Sequence, residues 1–113
     1  MLKRANRLHF ERDFLRVRKL GQSRRGQLFV LRYYVVPDGE ASRFAFVVSK
    51  KVSKKAVERN KITRWEREAV QKLLPSFKAS ADVILSAQQS FPKYSFEGSE
   101  KEITKLLNEA GLI

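Results

Sequence analysis

Apolar residues recur at helical spacing in three stretches of the chain and crowd or alternate in three others. Phe10, Phe14 and Val17 predict a helix from Glu11 to Leu20, with Arg12, Arg16 and Lys19 on its other side. Gly21 follows as the residue able to end it in the left-handed conformation. Met1 to Arg7 reads as a basic, mobile lead-in, and Gln22 to Gly26 as a polar loop. Leu28 to Val36, rich in β-branched and aromatic residues, predicts a strand, with a turn at Pro37-Asp38-Gly39. Arg43 to Ser49 predicts an antiparallel return strand, Phe44, Phe46 and Val48 on one face and the smaller Ala45 and Val47 on the other, leaving that face shallow. Lys50 to Lys72 reads as one long helix whose Ile62, Trp65, Ala69 and Leu73 share a side, closed by Leu73-Leu74-Pro75. Ala81 to Ala87 predicts a short strand. Ser99 to Ala110 predicts a last helix, opened by a capping box of Ser99 with Glu102 and buried through Ile103, Leu106, Leu107 and Ala110.

This succession makes an α+β domain, a small two-layer αβ sandwich in the order α-β-β-α-β-α with room for a further short strand. A strand, a helix and a strand in so small a body imply parallel neighbours joined by the helix. The 113 residues suffice for one domain with a modest core.

Charge narrows the range of partners. The chain has 24 Lys and Arg against 12 Asp and Glu, a net charge of +12, which in a small domain points to a polyanion. The excess is concentrated. Residues 1–25 hold nine basic and two acidic groups, residues 50–72 hold nine and three, and the remainder is nearly balanced. No apolar run approaches membrane-spanning length and the N-terminus lacks the apolar segment of a secretory signal; a membrane-surface helix, with only Trp65 and Ile62 opposite the basic face, is the weaker alternative to nucleic acid, and no membrane partner is expected. The absence of Cys rules out a disulfide framework and suits a reducing cytoplasm.

On the central helix, Asn60, Arg64, Arg67 and Gln71 fall within roughly 60° of one another at about 100° per residue. No acid interrupts this strip, whereas a merely solvated face mixes signs for i,i+4 pairing; here only the flanks do, Glu68 reaching toward Lys72. Arg forks grip phosphates bidentately, and Asn offers donor and acceptor side by side. Catalytic chemistry is absent: Asp13, Asp38 and Asp82 lie far apart in sequence, and Glu58, Glu66 and Glu68 point in different directions around the helix. The one His, His9, sits beside Leu8 and Phe10 in an ordinary structural or surface role. No metal-ligand spacing and no phosphate loop occur. By its own residues the protein is a binder.

The run Ser49-Lys50-Lys51, Ala56, Arg59-Asn60-Lys61, Arg64 and Arg67-Glu68 resembles the signature helix of the bacterial ribonuclease P protein family. Arg7-Leu8, Asp13-Phe14, Val17 and Gly21 match that family's N-terminal pattern, so the resemblance covers nearly the whole chain. It implies a left-handed βαβ crossover, as in a ribosomal protein domain of related fold. It also implies a monomeric cofactor bound one to one to a catalytic RNA, which holds the Mg²⁺ and cleaves precursor tRNA at the mature 5′ end. The family's contacts to that RNA carry over to Lys50, Lys51, Lys54, Arg59, Asn60, Lys61, Arg64 and Arg67. Its cleft for the single-stranded 5′ leader carries over to Phe14, Arg18, Arg32 and Tyr34. Arg18 and Arg32 stand where relatives often have Phe and Tyr, which implies a cleft less base-selective and more salt-dependent. Thr63 replaces a frequent Lys or Arg, Ser53 a frequent Gly, and Gln88-Gln89-Ser90 a loop that is often basic. A general RNA-binding module and a metal-dependent nuclease are the competing readings. The joint motif argues against the first and the missing acid cluster against the second.

Overall fold

The computed structural model describes residues 2–36 and 41–113, so the turn expected at Pro37-Asp38-Gly39 lies outside the described residues. Helix α1 spans Glu11–Leu20, strand β1 Gln22–Arg25, β2 Phe29–Val35, β3 Arg43–Val47, helix α2 Ala56–Leu73, strand β4 Ala81–Ala87 and helix α3 Phe96–Glu109. The expected order holds, with β1 as the further strand.

The sheet runs β1-β2-β4-β3. β1 and β2 are antiparallel, β2 and β4 are antiparallel, and β3 and β4 are parallel neighbours joined through α2. β3 is therefore not the antiparallel partner of β2, because β4 lies between them. All but the last two of the β4 side chains are buried, while β1 is exposed throughout, which suits a central and an edge strand. Alternation then separates two faces. Phe29, Leu31 and Tyr33 of β2, Phe44 of β3 and Ala81, Val83 and Leu85 of β4 meet Ile62, Ala69 and Val70 of α2 and Ile103, Leu106 and Leu107 of α3 in the main core. On the other face Val17 of α1 and Leu8 pack on Ile84, with Phe14, Tyr34 and Ala45 around them.

Several expectations change. The N-terminus is anchored: Leu2 and Leu8 are buried, Arg7 bridges Phe44, and Asn6 Nδ2 donates to the Ser42 carbonyl at 2.8 Å. Two isolated leucines carry no periodicity, so the sequence does not betray this docking. Gln22 to Arg25 pairs as a strand because its backbone finds β2, although its side chains are all polar. Lys50 to Lys55 is a turn and lead-in, and α2 starts only at Ala56. Ser53 organises that start: its Oγ accepts from the Lys55 amide at 3.1 Å and donates to Glu58.

Helix α3 begins at Phe96, capped by Ser95 Oγ accepting from the Gly98 amide at 3.0 Å, so Ser99 is not a cap but a fully buried residue. The freed Glu102 carboxylate instead accepts from the amides of Gln27, Leu28 and Phe29 at 3.1, 2.7 and 2.7 Å, clasping the β1–β2 hairpin. Arg16 turns from solvent to the sheet. It donates to Asp82 at 2.7 Å, while Arg43 forms a fork on Asp82 at 2.8 and 2.7 Å and reaches Asp13 at 3.0 Å. The hydrogen bonds that Arg43 donates to Asp82 hold its guanidinium above its ordinary pKa. The acids of α2 do point in different directions, and Glu66 points inward: it lies in the core with neither oxygen hydrogen-bonded.

Gly21 is extended (φ −79°, ψ 175°), not left-handed. It is required for another reason: a Cβ there would sit 2.4 Å from the backbone oxygens of Val17 and Tyr33. Gly21→Ala is expected to destabilise the fold by about 2 kcal/mol or more, since both obstacles are backbone atoms, a loss that urea denaturation would measure.

Candidate nucleic-acid interface

The acid-free strip on α2 survives in three dimensions. Asn60, Lys61, Arg64 and Gln71 are exposed, and among the described residues no hydrogen bond or ion pair engages the side chains of Asn60, Lys61 or Arg64. Arg59 is partly committed, Nη1 donating to the Ser53 carbonyl at 2.9 Å, which braces the turn before the helix. That turn presents Lys50, Lys51 and Lys54 to solvent while Val52 anchors it in the core, its carbonyl accepting from the Phe91 amide at 2.9 Å. The strip and the lysine turn thus form one basic edge beside β3.

Arg67, half-buried, leads from this edge into a groove of about 420 Å³. Its walls include Thr63 and Arg67 of α2, Phe14 of α1 and Arg7 and His9 of the lead-in; Ala45 and Phe46 of β3 also line it. The small side chain of Ala45 opens the shallow face expected of β3. Thr63 contributes no charge, and its hydroxyl donates back to the Arg59 carbonyl at 3.1 Å.

The four residues carried over to a leader cleft are not gathered equally. Phe14 lines the groove. Tyr34 packs with it around Ile84, but the Arg16 guanidinium lies over the Tyr34 ring, 4.9 Å from its centroid. Arg32 is half-buried on the same sheet face, opposite Ile84 in register, and Arg18 is exposed one turn after Phe14. Neither Arg lines the groove. Gln88 and Gln89, in place of the often-basic loop, have their side-chain amides engaged by the hairpin. Gln88 Nε2 donates to the Gly26 carbonyl at 2.6 Å and Gln89 Nε2 to that of Gln27 at 3.0 Å.

Among the described residues no group of three His, Asp or Glu is placed to hold a metal ion, and no helix is long and apolar enough to cross a membrane. Asp13 and Asp82, distant in sequence, do approach, but two arginines lie between them as ion pairs.

The Ribonuclease P family matches residues 2–111. The chain belongs to the ribonuclease P protein family. It is 33% identical to the ribonuclease P protein component of Rippkaea orientalis, over 99% of this chain and 91% of that one, and 34% identical to that of Syntrophomonas wolfei, over 99% and 92%. Among solved structures it resembles the ribonuclease P protein of Staphylococcus aureus, with 29% identity, a TM-score of 0.84 and coverage of 96% and 98% of the two chains. It also resembles that of Thermotoga maritima, with 28% identity, a TM-score of 0.79 and coverage of 91% and 96%. As a ribonuclease P protein, this chain is a subunit of the holoenzyme that cleaves tRNA precursors in 5′ maturation, and its partner is the ribonuclease P RNA. In this family catalysis belongs to the RNA.

Proposed function

We propose that the α2 strip and the lysine turn dock on the catalytic RNA, and that the adjoining groove receives the 5′ leader of precursor tRNA. The observation that carries this is the continuity of the two surfaces through Arg67, which belongs to both. Lys50, Lys51, Lys54, Asn60, Lys61 and Arg64 contact the RNA backbone, Arg59 sets the turn that presents the lysines, and the protein lowers the repulsion between two polyanions. Phe14 offers an aromatic surface to the leader. Arg18 and Arg32 add charge beside it, with Tyr34 reached once Arg16 moves. Mg²⁺ enters through the RNA subunit. One protein binds one RNA, and the complex works in the cytoplasm.

The test is cleavage of a precursor tRNA at low Mg²⁺ by ribonuclease P RNA with and without the protein. Stimulation is expected only with both present. The double variant Arg64→Ala, Arg67→Ala is expected to bind the RNA roughly 10- to 100-fold more weakly, from the loss of two charge-assisted contacts, and with a shallower salt dependence. Unchanged RNA affinity would remove α2 from the interface.

A further inference from the structure

Beyond the groove, the residues before α1 form an exposed aromatic cluster that the fold does not use. Phe10 occupies the N-cap of α1 without a side-chain capping bond, and 49% of it is exposed. The Phe10 and His9 rings lie 4.3 Å apart, tilted by 39°, and the Arg12 guanidinium sits 5.4 Å from the Phe10 centroid. His9 Nδ1 donates to the Arg7 carbonyl at 3.2 Å, which orients its ring, and His9 is itself a wall of the groove. A large apolar ring left in solvent, braced by one ring and topped by a cation, has the composition of a base-stacking site.

We infer that Phe10, with His9 and Arg12, is a stacking platform for one nucleotide of single-stranded RNA leaving the groove. This rests on the reading of the groove as the leader channel, and names where the leader goes next. Charge and continuity identify the occupant: the cluster adjoins the groove through His9, and the exposed Arg7 of the groove wall and Arg12 over Phe10 are cations suited to a phosphate chain. An arriving base takes the place of Arg12 on the Phe10 ring. Arg12, exposed and without an ion-pair partner among the described residues, then swings to the neighbouring phosphate. Stacking of this kind is indifferent to base identity, so the platform adds affinity for longer leaders without selecting their sequence.

The test uses holoenzyme assembled with ribonuclease P RNA and precursor tRNAs carrying the fluorescent base 2-aminopurine at one leader position at a time. Protein-dependent quenching is expected at positions over Phe14 and at one position farther from the cleavage site. Phe10→Ala and Phe10→Leu should release the distal quenching alone, and Phe10→Trp should keep it. Affinity for a long leader should fall about fivefold or more in Phe10→Ala, with no change for a leader trimmed short of that position. Affinity for the RNA subunit reports that the variant is folded. If Phe10→Ala leaves every quenched position and the long-leader affinity intact while Phe14→Ala abolishes quenching, the platform is wrong and the channel stands. If the parent protein quenches no leader position, channel and platform fall together.

Discussion

Glu66→Leu is expected to stabilise the protein by about 3 kcal/mol at pH 7, an unusual outcome for a core substitution. Glu66 is fully buried among Ile62, Ala69 and Val70 on the inner side of α2, and neither carboxylate oxygen has a partner. A buried polar group without a hydrogen bond costs about 1–3 kcal/mol in proteins, and a leucine of similar size adds about 1.5–3 kcal/mol of apolar burial. Burial pushes the Glu66 pKa well above its ordinary 4.5, the nearby Arg67 charge opposing this only weakly. The folded protein therefore keeps a proton that the unfolded chain gives up. Below the ordinary carboxylate value both states hold it and stability is unaffected. As pH rises from 4.5 toward the raised folded value, stability falls. The advantage of Glu66→Leu over the parent should thus be smallest near pH 4 and widen toward neutrality in paired urea titrations. Glu66→Gln should lose this pH dependence and gain less, because its amide is also unpartnered. An advantage equal at both pH values would mean that Glu66 finds a partner or water in solution.

Asp82→Ala is expected to have the opposite effect, a loss of about 3–5 kcal/mol. Asp82 is 1% exposed and accepts from Arg16 and twice from Arg43. Its removal leaves two guanidinium groups converging beneath α1 with only Asp13 between them. Since 1 kcal/mol moves the midpoint of a domain this size by about 4 °C, a drop of roughly 12 °C or more in Tm is the result to look for. Asp82→Asn, which keeps the shape, should fall between. A change below 1 kcal/mol would show that the half-buried arginines escape to water and that the network adds little.

The helices, the central strands and the α2 strip were legible because each repeats a signal: three or four residues apart in Glu11–Leu20, two apart in Arg43–Val47, polar and basic residues without an acid at helical spacing from Asn60 to Gln71. What escaped has no local repeat. Leu2 docks as a single residue, and Gln22–Arg25 becomes a strand only because β2 is beside it. Ser99 with Glu102 has the spacing of a capping box, yet Glu102 finds three amides more than 70 residues away in sequence and Ser95 takes the cap. Arg16 looks solvent-bound until the fold brings Asp82 beneath it. In the site, Phe14 and the basic residues of α2 were visible through the resemblance. That Arg67 and Phe14 wall one groove follows only from α1 and α2 approaching β3, which no spacing encodes.

The position of β4 has a bearing on how the molecule is made. It is the last of the four described strands to be synthesised, yet an interior one in space, with β2 on one side and β3 on the other. Until residues 81–87 leave the ribosome, β2 and β3 have no common neighbour. The basic α2, already complete, cannot close over a finished core. The clasp of Glu102 on the hairpin comes later still. Folding therefore waits until residues 81–102 have emerged, and through that interval the strongly basic α2 segment is tethered, its apolar side uncovered, beside ribosomal RNA.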